Sequence, residues 1–153
     1  MSSLSAALLP TLLVVHILSA VIWVGGMFYA LVVLRPALNV LDTNLRLQIH
    51  MLTLKKFFLL VWHAMPLMLI TGWGMIPLAG WRMAVLPWYV NAMQGLALVM
   101  AAIFLFTFFG PYRRLRRAIR PGPEILNRIR LLVTANLVLG LVIIAIAAQG
   151  QRW

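Results

Sequence analysis

The sequence contains no cysteine, which excludes disulfide bonds, thiolate metal sites and thiol catalysis. Any bound metal would therefore need histidine, methionine or carbonyl ligands. Acidic residues are almost as scarce, because Asp42 and Glu124 are the only two. Both lie between the apolar blocks of the chain, so no carboxylate is expected at membrane depth to relay protons or to form an acid–base pair. This disfavours hydrolysis and ordinary proton-coupled transport.

Charge of either sign is rare, and apolar residues dominate. Hydrophobic residues make up 64% of the chain and charged residues only 10%. The aliphatic residues recur in four blocks, near residues 8–34, 57–78, 88–109 and 129–148. Each block is long enough to cross the ~30 Å hydrocarbon core of a bilayer as a helix. We predict an all-α integral membrane four-helix bundle, with residues 1–153 forming one domain in the lipid bilayer.

Basic residues are concentrated in two of the three connections. The second connection has only Arg82, whereas the first carries Arg35, Arg46, Lys55 and Lys56 and the third carries seven arginines between residues 113 and 130. The positive-inside rule places the first and third connections in the cytoplasm, so both termini and the 79–87 loop should face outward. This topology accounts for the net charge of +11, and no nucleic-acid partner is expected. Residues 42–56 have helical apolar spacing and predict a cytoplasmic extension of the second span.

His16 lies within residues 11–34, a stretch without a formal charge. An ionisable residue at membrane depth is a functional-site candidate by default. Counting ~1.5 Å per residue from the outer end predicts an outer polar layer of His16, Thr71, Asn91 and Gln94. The same count predicts an inner layer of Trp23, His63, Thr134 and Asn136. The two histidines are then offset in depth by ~10 Å.

His16 and His63 are the candidate metal ligands, and three functions remain open. In the first, the bundle binds haem b and is redox-related, with His16 as the main ligand, His63 as the second and Trp23, Asn91 and Gln94 as lining residues. If this protein is an enzyme, it is then an oxidoreductase. In the second, His16 and methionine thioethers pass copper across the membrane. In the third, the chain carries no cofactor and is a structural subunit of a homo-oligomer or of a larger membrane complex.

Each of these signals also has a structural explanation. The histidines can simply donate and accept hydrogen bonds within their own polar layers, and shared ligation of one haem is not required by the sequence. The methionines, among them Met65, Met68 and Met100, can fill gaps between packed helices. Gly25 and Gly26 can serve close helix approach.

Five stretches carry a family resemblance. They are HILSAVIWVGGMFYALVVLRPAL (16–38), LRLQIHMLTLKKFFLLVW (45–62), TGWGM (71–75), FFGPYRRLRRAI (108–119) and RIRLLVTANLVLGL (128–141). Together they resemble the small four-span bacterial proteins of the CopD-like group. That group is related to larger copper-resistance membrane proteins and, more distantly, to the four-span protoporphyrinogen oxidase that carries haem b.

The resemblance implies a helical bundle in the bacterial inner membrane, which would put both termini in the periplasm. It also implies that, of the group's functional residues, the histidine of the first span is the one most readily assigned to this sequence, as His16. The chain departs from the group early in its third span, where relatives often have a histidine and this sequence has Asn91 and Gln94.

Overall fold

The computed structural model describes residues 3–118 and 122–150 and consists almost wholly of helix. Its four long helices are α1 (Ser3–Phe28), α2 (Thr43–Leu78), α3 (Trp88–Thr107) and α4 (Pro123–Gly150). Within the described ranges, four helices are long and apolar enough to cross a membrane, and no strand is present. The prediction of an all-α membrane protein with four spans is confirmed.

Short helical pieces lengthen two of the spans. After α1 the chain continues through a π-helical segment, Tyr29–Leu34, a helical turn, Arg35–Ala37, and a 3-10 turn, Leu38–Val40. After α3 it continues through a second π-helical segment, Phe108–Tyr112, and the short helix Arg113–Arg117. Each apolar block that the sequence predicts therefore lies within a longer helical stretch than hydropathy alone indicates.

The predicted extension of the second span is part of one continuous helix. Asp42 caps α2, since its Oδ1 accepts hydrogen bonds from the backbone N–H groups of Asn44 and Leu45, both at 3.0 Å. A carboxylate in this position satisfies amides that have no partner within the helix. With 36 residues, α2 is about 54 Å long, well beyond the ~30 Å of a bilayer core. The helix must therefore tilt or extend past the hydrocarbon.

Contacts at glycines show how the helices pair. In α1 and α2, Gly26 lies against the ring of Phe57 and Gly72 lies against the ring of His16. The residue numbers change in opposite directions along the two helices, so α1 and α2 are antiparallel. Helices α3 and α4 are also antiparallel, because Gly150 at the end of α4 lies against the ring of Tyr89 at the start of α3.

The two helix pairs join through two different interfaces. Between α1 and α4 the contact is close, since a Cβ built on Gly140 would be 2.8 Å from Cγ2 of Val24. Between α2 and α3 the contact is made by large rings. Phe58 and Phe104 have their ring centroids 5.6 Å apart, and Trp62 and Phe104 have theirs 5.7 Å apart. The four helices thus close into a ring around a shared interior.

Many of the outward-facing side chains of the bundle are apolar. Among the most exposed are Val21, Ile70, Phe106 and Leu131, at 60–70%. Aliphatic and aromatic side chains on the outside of a helical bundle are what contact with hydrocarbon requires. This surface indicates a lipid bilayer environment and a multi-pass membrane protein.

The orientation of the bundle leads to the first testable prediction. The loop from residue 79 to residue 87 and both ends of the chain should lie outside the cytoplasm, because the basic connections are retained inside. A phosphatase reporter fused after residue 153 should be active and a fluorescent protein fused there should stay dark. Fusions at residue 118 should show the opposite pattern. Phosphatase activity at residue 118 together with none at residue 153 would contradict the predicted topology.

Candidate functional site

The imidazole of His16 joins α1 to the backbone of α2. Its Nδ1 lies 2.8 Å from the carbonyl oxygen of Met68 and 3.2 Å from Oγ1 of Thr71. A carbonyl oxygen can only accept a hydrogen bond, so Nδ1 carries the proton and donates it. The neutral ring therefore keeps the lone pair on Nε2. A backbone carbonyl that holds one ring nitrogen of a histidine while the other is left to bind is a common arrangement in metal sites.

Two residues of α2 make this contact possible. Thr71 donates its hydroxyl proton to the Leu67 carbonyl at 2.6 Å, which leaves its oxygen lone pairs directed to His16. Gly72 has no side chain, and a Cβ built there would be 3.1 Å from Cε1 and 3.4 Å from Nδ1 of the His16 ring. The His16 ring thus occupies space that the side chain of any larger residue at position 72 would also need.

His16 belongs to the interior face of α1. Ser19 and Trp23 follow at three and seven residues, which is the spacing of one helix face. Their exposed fractions are 4% and 1%. His16 itself is half-buried. The residue thus lies at one end of a stripe of α1 that is buried at Ser19, Trp23 and Met27.

The predicted outer polar layer forms only in part. His16 and Thr71 are in contact, as predicted. Gln94 accepts a hydrogen bond at 3.0 Å from Nε1 of Trp73, two residues beyond Thr71 in α2. Asn91 is exposed and donates to the Leu86 carbonyl at 3.4 Å. Gln94 therefore links α3 to α2, Asn91 bonds the loop that precedes α3, and neither is hydrogen-bonded to His16.

The predicted inner layer is wrong for two of its members. His63 is exposed and bonds the Leu59 carbonyl of its own helix at 2.8 Å, and Thr134 is exposed as well. Trp23 and Asn136 are buried, as predicted. The carbonyls that hold His16 and His63 are nine residues apart in α2, which is roughly 13 Å along the helix axis. The structure does not bring the two histidines together.

Asn136 is a buried polar side chain that joins α4 to α3. Its Nδ2 donates to the Met100 carbonyl at 3.1 Å, and its Oδ1 is buried with no hydrogen-bond partner among the described residues. Its exposed fraction is 4%. Gly140, one turn further along α4, lies against the side chains of Met100 and Val24.

The buried core of the bundle contains several methionine thioethers. Among residues 3–118 and 122–150, no three His, Cys, Asp or Glu side chains lie together as a metal-binding group. Four methionines, Met27, Met65, Met68 and Met100, belong to one buried core cluster. Met68 is in the turn that holds His16, Met65 is about one turn further inward, and Met27 is 11 residues beyond His16, roughly 16 Å along α1.

Sequence reasoning identified His16 but not what holds it. The carbonyl that accepts from His16 belongs to Met68, and this residue was not singled out from the sequence as a partner of His16. The glycine of the TGWGM motif was the available signal, since a glycine beside a buried polar residue favours close approach to a neighbouring helix. Trp73 of the same motif was also missed as the partner of Gln94.

This fold and site define a class of protein. It is a polytopic four-helix membrane protein with an inward-facing imidazole, that of His16, and a core rich in methionine thioethers. The chain belongs to the copper resistance protein D (CopD) family, whose match covers residues 51–149, more than half of the sequence. This confirms the resemblance to the CopD-like group. Searches of curated proteins and of solved structures returned no match. The matched range begins at Met51 and does not include His16.

Proposed function

We propose that this chain handles copper in the bacterial inner membrane, with Cu(I) as cargo and with Nε2 of His16 as its entry ligand. The observation that carries the proposal is the Nδ1 contact of His16 with the Met68 carbonyl at 2.8 Å. It orients the ring and leaves the lone pair of Nε2 available to a metal. The copper resistance description of the family supports the same assignment.

The remaining donors favour Cu(I) over harder cations. The whole chain has no cysteine and only two acidic residues, both outside the hydrophobic blocks. Thioether and imidazole ligands are soft or intermediate donors, which suit Cu(I) and disfavour Mg²⁺ or Ca²⁺. The buried methionines extend inward from the level of His16, from Met68 and Met65 to Met100 and Met27. A cation bound by few thioethers at a time can pass from one to the next.

Haem b is the second candidate, because a free Nε2 is also the atom that an axial histidine offers to iron. The described residues do not fit a haem held by His16 and His63 within this bundle. His63 is exposed and bonds its own helix, and the interior between the helices is filled by Trp23, Met65 and Met68. Haem bound through His16 alone remains a prediction, and we derive no step through it.

The variant His16→Asn tests the copper proposal. Asparagine can place an amide nitrogen close to the position of Nδ1 and keep the bond to the Met68 carbonyl, but it has no atom equivalent to Nε2. We expect at least a tenfold weaker Cu(I) affinity, or about 1.4 kcal/mol, with an unchanged free energy of unfolding. The measurement is competition between the purified protein and a chromogenic Cu(I) chelator under anaerobic conditions.

His63→Asn is the matched control, since it removes an exposed imidazole from α2 and should leave the Cu(I) affinity unchanged. Absorption spectra of the wild type, oxidised and then reduced, are recorded on the same samples after incubation with haemin. Equal Cu(I) affinity of His16→Asn and wild type would refute the role of Nε2. A haem spectrum that His16→Asn abolishes would favour the second candidate. If the protein binds neither Cu(I) nor haem, the remaining hypothesis is a structural subunit without a cofactor.

A third prediction concerns the glycine beside the ring. Gly72→Ala would place a methyl group 3.1 Å from Cε1 of His16, so the ring must shift and the bond to the Met68 carbonyl should lengthen. We expect a severalfold loss of Cu(I) affinity. Gly74→Ala is the control, because its Cβ would be 3.6 Å from Cδ1 of Leu12, an ordinary contact. The same chelator competition compares them, and equal behaviour of the two variants would show that the ring position does not matter.

A further inference from the structure

A pocket opens at the end of the bundle that carries most of the basic residues. It lies between the end of the first span and the starts of α2 and α4, and its volume is about 280 Å³. We call it the basic pocket. Its polar wall is formed by Arg35, Asn39, Arg46, His50, Asn127 and Arg130. These residues come from three helical segments that are far apart in the sequence.

The pocket is polar toward one end and mostly apolar toward the other. Along α2, the lining residues run from Arg46 and His50 through Thr53 to Leu54 and Phe57. In the first span, the exposed Arg35 is one turn from Leu31. The apolar end is part of the buried core, since Phe57 and Val133 are each 9% exposed. A ligand that fills this space is charged at one end and hydrocarbon at the other.

The chain has too few carboxylates to neutralise its basic residues. The sequence has 13 basic and two acidic residues. Asp42 uses Oδ1 to cap α2, and Glu124 lies in the first turn of α4. Within the described residues, the hydrogen bond of the Arg46 side chain goes from Nη1 to Oδ1 of Asn39, at 3.5 Å. Three guanidinium groups around one cavity therefore favour the binding of an anion with several oxygen acceptors. Guanidinium groups match phosphate geometry well.

We propose that the basic pocket binds the headgroup of an anionic phospholipid, with its phosphate among Arg35, Arg46 and Arg130. The acyl chain then runs along the apolar wall toward the hydrocarbon core. A lipid fits better than free phosphate because the pocket continues into apolar walls that a free phosphate would leave empty. The positive-inside rule puts this end in the cytoplasm, and basic pockets between spans on that side are suited to anionic headgroups. The assignment is independent of copper handling.

The test uses the full-length protein, stripped of lipid in a neutral detergent. Native mass spectrometry and thermal unfolding are recorded with phosphatidylglycerol, with phosphatidylcholine of the same acyl chains, and with inorganic phosphate. We expect phosphatidylglycerol to bind at least tenfold more tightly than phosphatidylcholine and to raise the melting temperature. Inorganic phosphate should neither bind at comparable concentration nor stabilise the protein. Stabilisation by inorganic phosphate equal to that by phosphatidylglycerol would overturn the lipid assignment.

Charge-matched variants separate the pocket from general attraction to anionic lipid. The double variant Arg46→Gln, Arg130→Gln should lose at least tenfold in phosphatidylglycerol affinity. The double variant Arg114→Gln, Arg117→Gln removes two charges at the same end outside the pocket and should keep it. Asn127→Arg adds a guanidinium to the exposed rim of the pocket and should raise the affinity for phosphatidylglycerol. Because this variant predicts a gain, a folding defect in the first double variant cannot account for both results. Equal losses in the two double variants, or no gain from Asn127→Arg, would overturn the proposal.

Discussion

Replacing Gly140 by leucine is expected to separate α1 from α4 and to lower the free energy of unfolding by about 3 kcal/mol, the upper end of typical overpacking costs. A Cβ at this position would be 2.8 Å from Cγ2 and 3.4 Å from Cγ1 of Val24, and 3.4 Å from Cε of Met100. Valine is stiff at χ1, so it cannot turn away from the added atoms. The helices must move apart and lose van der Waals contact along the interface.

The measurement is equilibrium unfolding in mixed micelles, followed by circular dichroism or by steric trapping. Gly95→Leu is the matched control, because nothing lies within 4 Å of a Cβ built at Gly95, which is also in a membrane-spanning helix. Adding Val24→Ala to Gly140→Ala should recover part of the stability that Gly140→Ala loses. A Gly140→Leu variant as stable as Gly95→Leu would show that the α1–α4 contact is not close-packed.

The second large effect is expected for Phe104→Ala. Phe104 is 3% exposed, and its ring contacts those of Trp23, Phe58 and Trp62 with centroids 6.2, 5.6 and 5.7 Å away. Hydrocarbon solvates an exposed phenyl ring about as well as the protein interior does, so most of the loss comes from the cavity. At ~24 cal/mol per Å³, a vacated volume of roughly 100 Å³ costs about 2 kcal/mol.

Phe106→Ala is the control for this variant. It makes the same chemical change two residues away in α3, at a side chain that is 65% exposed, so its effect should be within about 0.5 kcal/mol. The two variants are compared by the same unfolding measurement. The contrast also tests the α2–α3 interface, because Phe104 of α3 contacts the rings of both Phe58 and Trp62 of α2. Equal destabilisation by both variants would mean that this cluster does not hold the two helix pairs together.

The spans were predictable because each depends on a property summed over neighbouring residues. A run of apolar residues such as 88–109 becomes a helix wherever it sits in a bilayer, since its backbone groups have no other partners there. The start of α2 was predictable for a similar reason, because the periodic apolar residues after Asp42 continue without a break into the second span. Pro66 did not interrupt it, and the helix runs through to Leu78.

The faces of the helices were much less predictable. In a soluble protein, a polar face shows which side of a helix is outward, but α2 is apolar almost all round within the membrane. Depth alone placed His63 in an inner layer with Asn136. The structure rotates His63 to the outside, where it bonds the Leu59 carbonyl, and rotates Asn136 to the inside, where it bonds the Met100 carbonyl. Counting residues along a helix axis gives the depth of a side chain but not the direction in which it points around that axis.

By itself, the sequence determined four membrane-spanning helices, the concentration of basic charge in the first and third connections and the candidacy of His16. Hydropathy, charge and the presence of an ionisable residue at membrane depth are properties of consecutive residues. They can be recognised without knowing which other part of the chain a residue contacts. Only the tertiary structure decided that His16 donates to Met68 across 52 residues, that Gly140 meets Val24 and that Arg35, Arg46 and Arg130 line one pocket. These contacts depend on the register and rotation of packed helices, which side-chain volumes fix jointly and no single helix encodes.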